Sequence, residues 1–328
     1  MVSCNERSGR EECQKAMLTL RPIPAHGDWQ RKGQGRSAGR VNRLRFLAPL
    51  AVVGLAACSP GVLDPAGPVS AGNRTILLNS LFIMLGIVIP TMIVTLAFAW
   101  WFRAGNKKAK YLPEWSYSGR VELLVWSIPA LIVIFLAGVT WIGTHQLAPE
   151  RPLDSKVRPV TVQVVSLDWK WLFIYPEQGV ASVNRLVIPA GTPINFRVTS
   201  GTVMNSFFVP QLGSQIYAMA GMSAKLHLQA DRPGRYRGMS AHYSGEGFSD
   251  MDFPADAVPP RQFAAWVART RAQGPALDNR GFVQLARKSV DVKPYTYRAV
   301  QPGLYELIVR NAGAPVSAVA TGGREDTK

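Results

Sequence analysis

Two long apolar stretches and a later alternating region organise the chain. Residues 75–102, TILLNSLFIMLGIVIPTMIVTLAFAWWF, carry no charge over 28 positions, and residues 123–144, LLVWSIPALIVIFLAGVTWIGT, carry none over 22. At 1.5 Å per helical residue each spans the roughly 30 Å hydrocarbon core of a bilayer, and a buried helix of a soluble domain would be shorter. Both are predicted to be membrane helices. Pro90 and Pro129 fall inside them, which membrane helices tolerate.

From Val160 the period drops to two. VTVQVVSLDWKWLFIYP and NRLVIPAGTPINFRVTS, then NSFFVP, KLHLQAD and GRYRGMSAHYS, are separated by Gly and Pro. They predict short strands of a Greek-key sandwich or barrel. Helical spacing returns in PRQFAAWVARTRAQ, with Phe263, Trp266 and Val267 on one side, and a further helix is expected near residues 281–289. Residues 296–328 end in a polar, Gly- and Ala-rich piece and are expected to be disordered. The plan is therefore an outer N-terminal segment (58–74), a hairpin (75–145) with its loop at 103–122, a β domain (150–258), a helical arm (259–295) and a tail.

Charge sets the topology. The net charge is +16, but the Lys and Arg are scattered, so nucleic acid is not an expected partner. Arg103, Lys107, Lys108, Lys110 and Arg120 lie in the hairpin loop, which the positive-inside rule places in the cytoplasm. Trp100, Trp101, Trp115 and Trp141 lie near the interfaces, as aromatic belts do.

Residues 40–58, RVNRLRFLAPLAVVGLAAC, have the basic start and short apolar core of a secretory signal. The closing Leu55-Ala56-Ala57-Cys58 resembles a bacterial lipobox, which would put a lipid on Cys58 and a plain signal peptide as the alternative. Residues 1–39 are polar and irregular, and a start codon placed too far upstream would explain them. The cysteines are Cys4, Cys13 and Cys58, so the β domain can form no disulfide and offer no thiolate to a metal.

Four ordered motifs then narrow the reading. LDWKWLFIYPEQG, VMNSFFVPQLGSQIYAMAGM, YRGMSAHYSGEGFSDM and RVELLVWSIPALIV resemble stretches of subunit II of haem–copper terminal oxidases, collinearly from about Cys58 to Gln273. Within that family the chain resembles the subunit II of cytochrome bo-type ubiquinol oxidases. The resemblance implies a membrane α + β fold: a two-helix transmembrane hairpin, a cupredoxin-like Greek-key β-sandwich, then a short helical C-terminal arm. It also implies a bacterial inner-membrane location, with lipid anchor and sandwich on the periplasmic side.

Copper-bearing members of the family hold a dinuclear centre with two thiolates, two histidines, a methionine and a glutamate carbonyl. Aligned from Met251, the thiolate positions are Ser240 and Ser244, the histidine positions Phe248 and Asn205, and the glutamate position His242. Met251 alone is kept. A serine hydroxyl is a hard, protonated donor and phenylalanine has none, so no metal is expected in this chain. Electrons are then expected to come from ubiquinol and to reach haems and one copper in a partner subunit I, with subunits III and IV completing the complex. This chain would be a noncatalytic subunit.

Some residues keep two readings. Glu122 is either an acid favoured at a helix N-terminus or, as the resemblance implies, a carboxylate at the mouth of a proton path. Trp169 and Trp171 are read as aromatic packing at the domain surface or against subunit I, although in copper-bearing relatives the first tryptophan of the pair lies where electrons enter. His227 and His242 are read as surface histidines, and Met204, Met219, Met222 and Met239 as gap-fillers rather than a copper(I) site. The competing function is an independent lipid-anchored envelope binding protein. A copper-bearing oxidase subunit is excluded because residues 59–328 contain no cysteine.

Overall fold

The computed structural model describes residues 61–110 and 112–311. Helix α1 (Pro68–Trp101) and helix α2 (Gly119–Gln146) form the hairpin. Both are long and apolar enough to cross a membrane, and their apolar side chains, such as Leu96, Leu123 and Trp126, stand exposed. Low polarity on every side marks a helix that needs an apolar solvent.

Helix α1 starts at Pro68, not at residue 75 where its uncharged stretch begins. Proline suits the first helical position because its fixed φ is helical and its missing N–H has no partner there. Ser70 extends the start: its Oγ accepts from Gly67 N–H at 3.2 Å and donates to the carbonyl of Gln211 at 2.7 Å. Gly67 must be glycine, since a Cβ would sit 2.0 Å from the carbonyl oxygen of Gln229. The N-terminal end of α1 is thus bonded into the β domain before the helix reaches the apolar stretch.

The β domain is a two-sheet sandwich. One sheet has the order β12-β3-β2-β1-β5-β8, with β1 (Val160–Leu167), β2 (Lys170–Tyr175), β3 (Val180–Val183), β5 (Pro193–Ser200), β8 (Ala224–Gln229) and β12 (Tyr295–Tyr297). The other has the order β4-β10-β9-β6-β7, with β4 (Leu186–Pro189), β6 (Asn205–Phe208), β7 (Ile216–Ala218), β9 (Gly234–Ser240) and β10 (Asp252–Val258). β1 runs parallel to β5, from Val160↔Ile194 to Ser166↔Ser200. Between the sheets lies an aromatic core in which Trp171, Phe173, Phe207 and Phe253 meet edge-on or stacked.

A second core lies on the other side of the first sheet. Helix α3 (Pro260–Ala272) leads to β11 (Ala276–Leu277), α4 (Asn279–Leu285), β12, β13 (Ala299–Val300) and α5 (Leu304–Arg310). Val165, Leu167, Leu172 and Ile174 of β1 and β2 pack there against Leu277, Phe282, Leu304, Tyr305 and Ile308. This corrects the expectation of a disordered tail from residue 296. Residues 296–311 are folded, because the first sheet has an apolar outer face that they cover. The arm is fastened by polar contacts too: Arg197 donates to Glu306 at 3.2 Å, and the hydroxyls of Ser223 and Tyr305 lie 2.8 Å apart.

Ile308 is 3% exposed. Ile308→Ala should destabilise the fold by about 2–5 kcal/mol through lost burial and a residual cavity. In the detergent-purified protein this should appear as a fall of roughly 5–15 °C in the thermal midpoint. An unchanged midpoint would mean that the arm is not part of the cooperative unit.

Candidate functional site: the loop between β9 and β10

The loop leaves β9 at Ser240, turns through a short 3₁₀ segment (Phe248–Asp250) and returns at Met251. Its base is closed by the backbone: Ser240 N–H donates to Met251 O at 3.3 Å, and Ala241 N–H to Ser206 O at 3.0 Å. Gly245, at φ +106°, and the bond from Phe248 N–H to Gly245 O at 3.1 Å shape the tip.

Three of the aligned ligand positions converge. Asn205 opens β6 fully buried, and Ser240 Oγ donates to its Oδ1 at 3.1 Å, with the carbonyl of His242 3.3 Å from the same hydroxyl. Met251 is 1% exposed and packs in the aromatic core. Its carbonyl also accepts from Trp171 Nε1 at 3.3 Å. Phe248 lies edge-on to Tyr243, ring centres 5.6 Å apart, and the His242 ring meets Tyr217 at 6.1 Å. Ser244 Oγ and His242 Nδ1 are buried without a hydrogen-bond partner among the described residues.

These residues do not fit a dinuclear copper centre. Bridging two coppers takes soft anionic sulfur. The two positions for it hold serine hydroxyls, one of them already donating to Asn205. Phe248 has no lone pair, and the thioether of Met251 is the one soft donor of the set. Among the described residues no group of three or more His, Cys, Asp or Glu could hold a metal ion.

The tryptophan pair divides. Trp171 is not at the surface but in the aromatic core, edge-on to Phe207 at 5.5 Å and Phe253 at 5.8 Å. Trp169 is half-buried at the β1–β2 turn with φ +62°, a left-handed conformation that costs a non-glycine residue about 1–3 kcal/mol. Its surroundings offset that cost. Nε1 donates to Ser244 O at 3.1 Å, and Lys288 Nζ lies 5.9 Å from the ring centre. A Cβ on Gly247 would be 2.6 Å from the ring, so glycine there lets the indole lie on the loop backbone.

Between the tryptophans, Lys170 was missed as a site residue. It is 1% exposed, and its Nζ donates to Arg287 O at 2.7 Å and to Ser289 Oγ. Desolvation lowers its pKa, opposed by Asp168. The available signal was a lysine inside the apolar run WKWLFIY. Asn184 makes a similar bridge: its side chain accepts from Trp171 N–H and donates to Val292 O, both at 2.7 Å.

Glu122 is not brought to this loop. It lies exposed in the first turn of α2, 24 residues before Gln146 and so about 36 Å from the helix's C-terminal end. Cys58 lies outside the described residues.

Residues 176–258 match the family model described as cytochrome c oxidase subunit II, periplasmic domain, and residues 271–312 match the one described as the COX aromatic rich motif. The cytochrome bo(3) ubiquinol oxidase subunit 2 of Pseudomonas aeruginosa is 49% identical over 263 residues, covering 80% of this chain and 79% of the relative. The ubiquinol oxidase subunit 2 of Acetobacter aceti is 49% identical over 272 residues, covering 82% and 88%. The chain belongs to the ubiquinol oxidase subunit 2 family. The periplasmic domain of subunit II of cytochrome oxidase from Bradyrhizobium japonicum, a solved structure, is 24% identical over 36% of this chain and 96% of that one, with a TM-score of 0.33. For this subunit 2 chain, the aromatic-rich match spans the segment from the end of α3 through α5 that forms the second core.

The Ser240–Asn205 bond gives a quantitative check. Ser240→Ala and Asn205→Ala should each cost about 1–3 kcal/mol, because each strands a buried polar partner. The double variant should cost less than the sum by about 0.5–1.5 kcal/mol. Denaturation followed by tryptophan fluorescence measures the cycle, and strict additivity would refute the contact.

Proposed function

We propose that this chain is the noncatalytic second subunit of a proton-pumping ubiquinol oxidase, carrying a vestigial copper loop. One observation carries the proposal: at two of the aligned ligand positions the side chains bond each other, Ser240 donating to Asn205. A loop that closes on its own hydrogen bonds keeps its shape without a metal, and it offers no relay for electrons from cytochrome c. Electrons from ubiquinol then reach the haems and the single copper of a partner subunit I, where oxygen is reduced to water. The family membership supports this reading, and subunits III and IV are the further partners it implies.

The hairpin is proposed to cross the inner membrane twice, with the loop bearing Arg103, Lys107, Lys108 and Lys110 in the cytoplasm. The sandwich then stands in the periplasm, as does Cys58, the proposed lipid attachment. Glu122 falls at the cytoplasmic edge, where a carboxylate can pass protons into a path shared with subunit I.

The experiment is purification of the membrane-extracted complex on a tag carried by this chain. Co-purified haem, one copper per two haems, and oxygen uptake driven by a short-chain ubiquinol but not by reduced cytochrome c are expected. A chain that emerges alone and haem-free would favour the independent envelope binding protein, and three coppers with cytochrome c turnover would refute the vestigial loop. Glu122→Gln should lower turnover and proton pumping together; unchanged values for both would sink the proton-path role.

A further inference from the structure

A cavity of about 350 Å³ opens where the outer ends of the hairpin meet the sandwich. Its lining combines apolar Val69, Leu147 and Leu226 with polar Arg151, Asp154 and His227. Its depth follows from the helices. The uncharged stretch of α2 ends at Thr144, so the segment that begins at Gln146 starts about 3 Å beyond it. On α1, Pro68 stands about 10 Å beyond Thr75. A bilayer's headgroup layer occupies roughly 5–8 Å on each side of the hydrocarbon. If the hairpin spans the membrane as proposed above, the cavity reaches from the outer headgroup level to just beyond it.

The charges in the lining are one of each sign. Arg151 and Asp154 are exposed, and neither pairs with the other or with any other described residue. The ring of His227 is held by its Nδ1, 3.1 Å from the carbonyl of Pro149. A carbonyl only accepts, so Nδ1 carries a proton, and in the neutral ring Nε2 is then an acceptor. The site thus offers one cation, one carboxylate and one neutral acceptor beside an apolar wall.

We propose that this cavity binds the headgroup of an outer-leaflet phospholipid bearing a primary amine. Its phosphodiester pairs with Arg151, and its ammonium donates to Asp154 and His227. The glycerol end lies against Leu147 and Leu226. A planar guanidinium fits phosphate oxygens, and acceptors for N–H groups distinguish a primary ammonium from a quaternary one. An anionic lipid without an amine would leave Asp154 facing its negative charge.

Native mass spectrometry on the purified complex tests this, after delipidation and incubation with vesicles of equal phosphatidylethanolamine and phosphatidylglycerol. Wild type should retain one more phosphatidylethanolamine than the Arg151→Gln/Asp154→Asn double variant, with at least tenfold weaker binding in the variant. Asp154→Asn alone, an exposed change that spares the fold, should shift the preference towards phosphatidylglycerol. Glycerophosphoethanolamine, the headgroup without acyl chains, should compete at least tenfold more weakly than the lipid. Equal retention in wild type and variants, a wild-type preference for phosphatidylglycerol, or equal competition by the soluble headgroup would each overturn the site. Carbonate washing of the membranes tests the spanning hairpin separately. Extraction of the chain would refute both readings, whereas resistance with equal lipid retention would refute the lipid site alone.

Discussion

The first sheet is apolar on both faces, and much of the architecture follows from that. β2 shows the constraint in six residues: Trp171, Phe173 and Tyr175 enter the core between the sheets, while Leu172 and Ile174 point the other way and are equally buried. Each such side chain gains about 1.5–3 kcal/mol from burial, so neither face can be left to water. One face is covered by the second sheet and the other by the arm. The arm is therefore part of the domain's folding unit rather than an appendage, and its α5 helix, only seven residues long, owes its existence to that surface. A helix this short has almost no stability of its own in water.

The same constraint explains how the loop between β9 and β10 keeps its form. Its two ends are held by backbone pairing between Ser240 and Met251 and by the buried side chain of Met251 in the inter-sheet core. Its flank is held by Trp169, whose strained turn is fixed from below by the tryptophan–serine bond and from the side by Lys288 of the arm. None of these contacts needs a metal. The frame around the side chains of Asn205, Ser240 and Phe248 therefore rests on other contacts.

Much of this was legible in the sequence. The hairpin announced itself through uncharged length, and the strands through alternation and turn residues. The pairing of Asn205 with Ser240 as neighbouring positions followed from the resemblance, and the two side chains do meet. Two things were not legible, for one reason. WKWLFIY reads as a strand, but its period does not say that both faces are buried, so the sequence alone does not show that residues 296–311 help cover the second face. Lys170 was missed with it, because an amine inside a strand has meaning only once Arg287 O and Ser289 stand ready to receive it. The seven helical residues before Thr75 were missed because their driving force is tertiary: Ser70 bonds Gln211, 141 residues away.

That last contact bears on how the two halves of the subunit work together. An isolated membrane hairpin and an isolated sandwich would be joined by flexible connectors and could reorient. Here the chain links hairpin and sandwich through residues 147–159 alone, yet α1 is also bonded into the sandwich, through Ser70 and through Ala66, whose N–H donates to Gln211 O and whose carbonyl accepts from Asp231 N–H, both at 2.8 Å. Just past α2, Pro149 O accepts from His227 N–H at 3.1 Å. Both helices are thus tied to the sandwich, α1 at its N-terminal end and α2 just past its C-terminal end, which fixes the sandwich relative to the hairpin. For a chain of the ubiquinol oxidase subunit 2 family, a sandwich held rigidly on its hairpin is what these contacts supply.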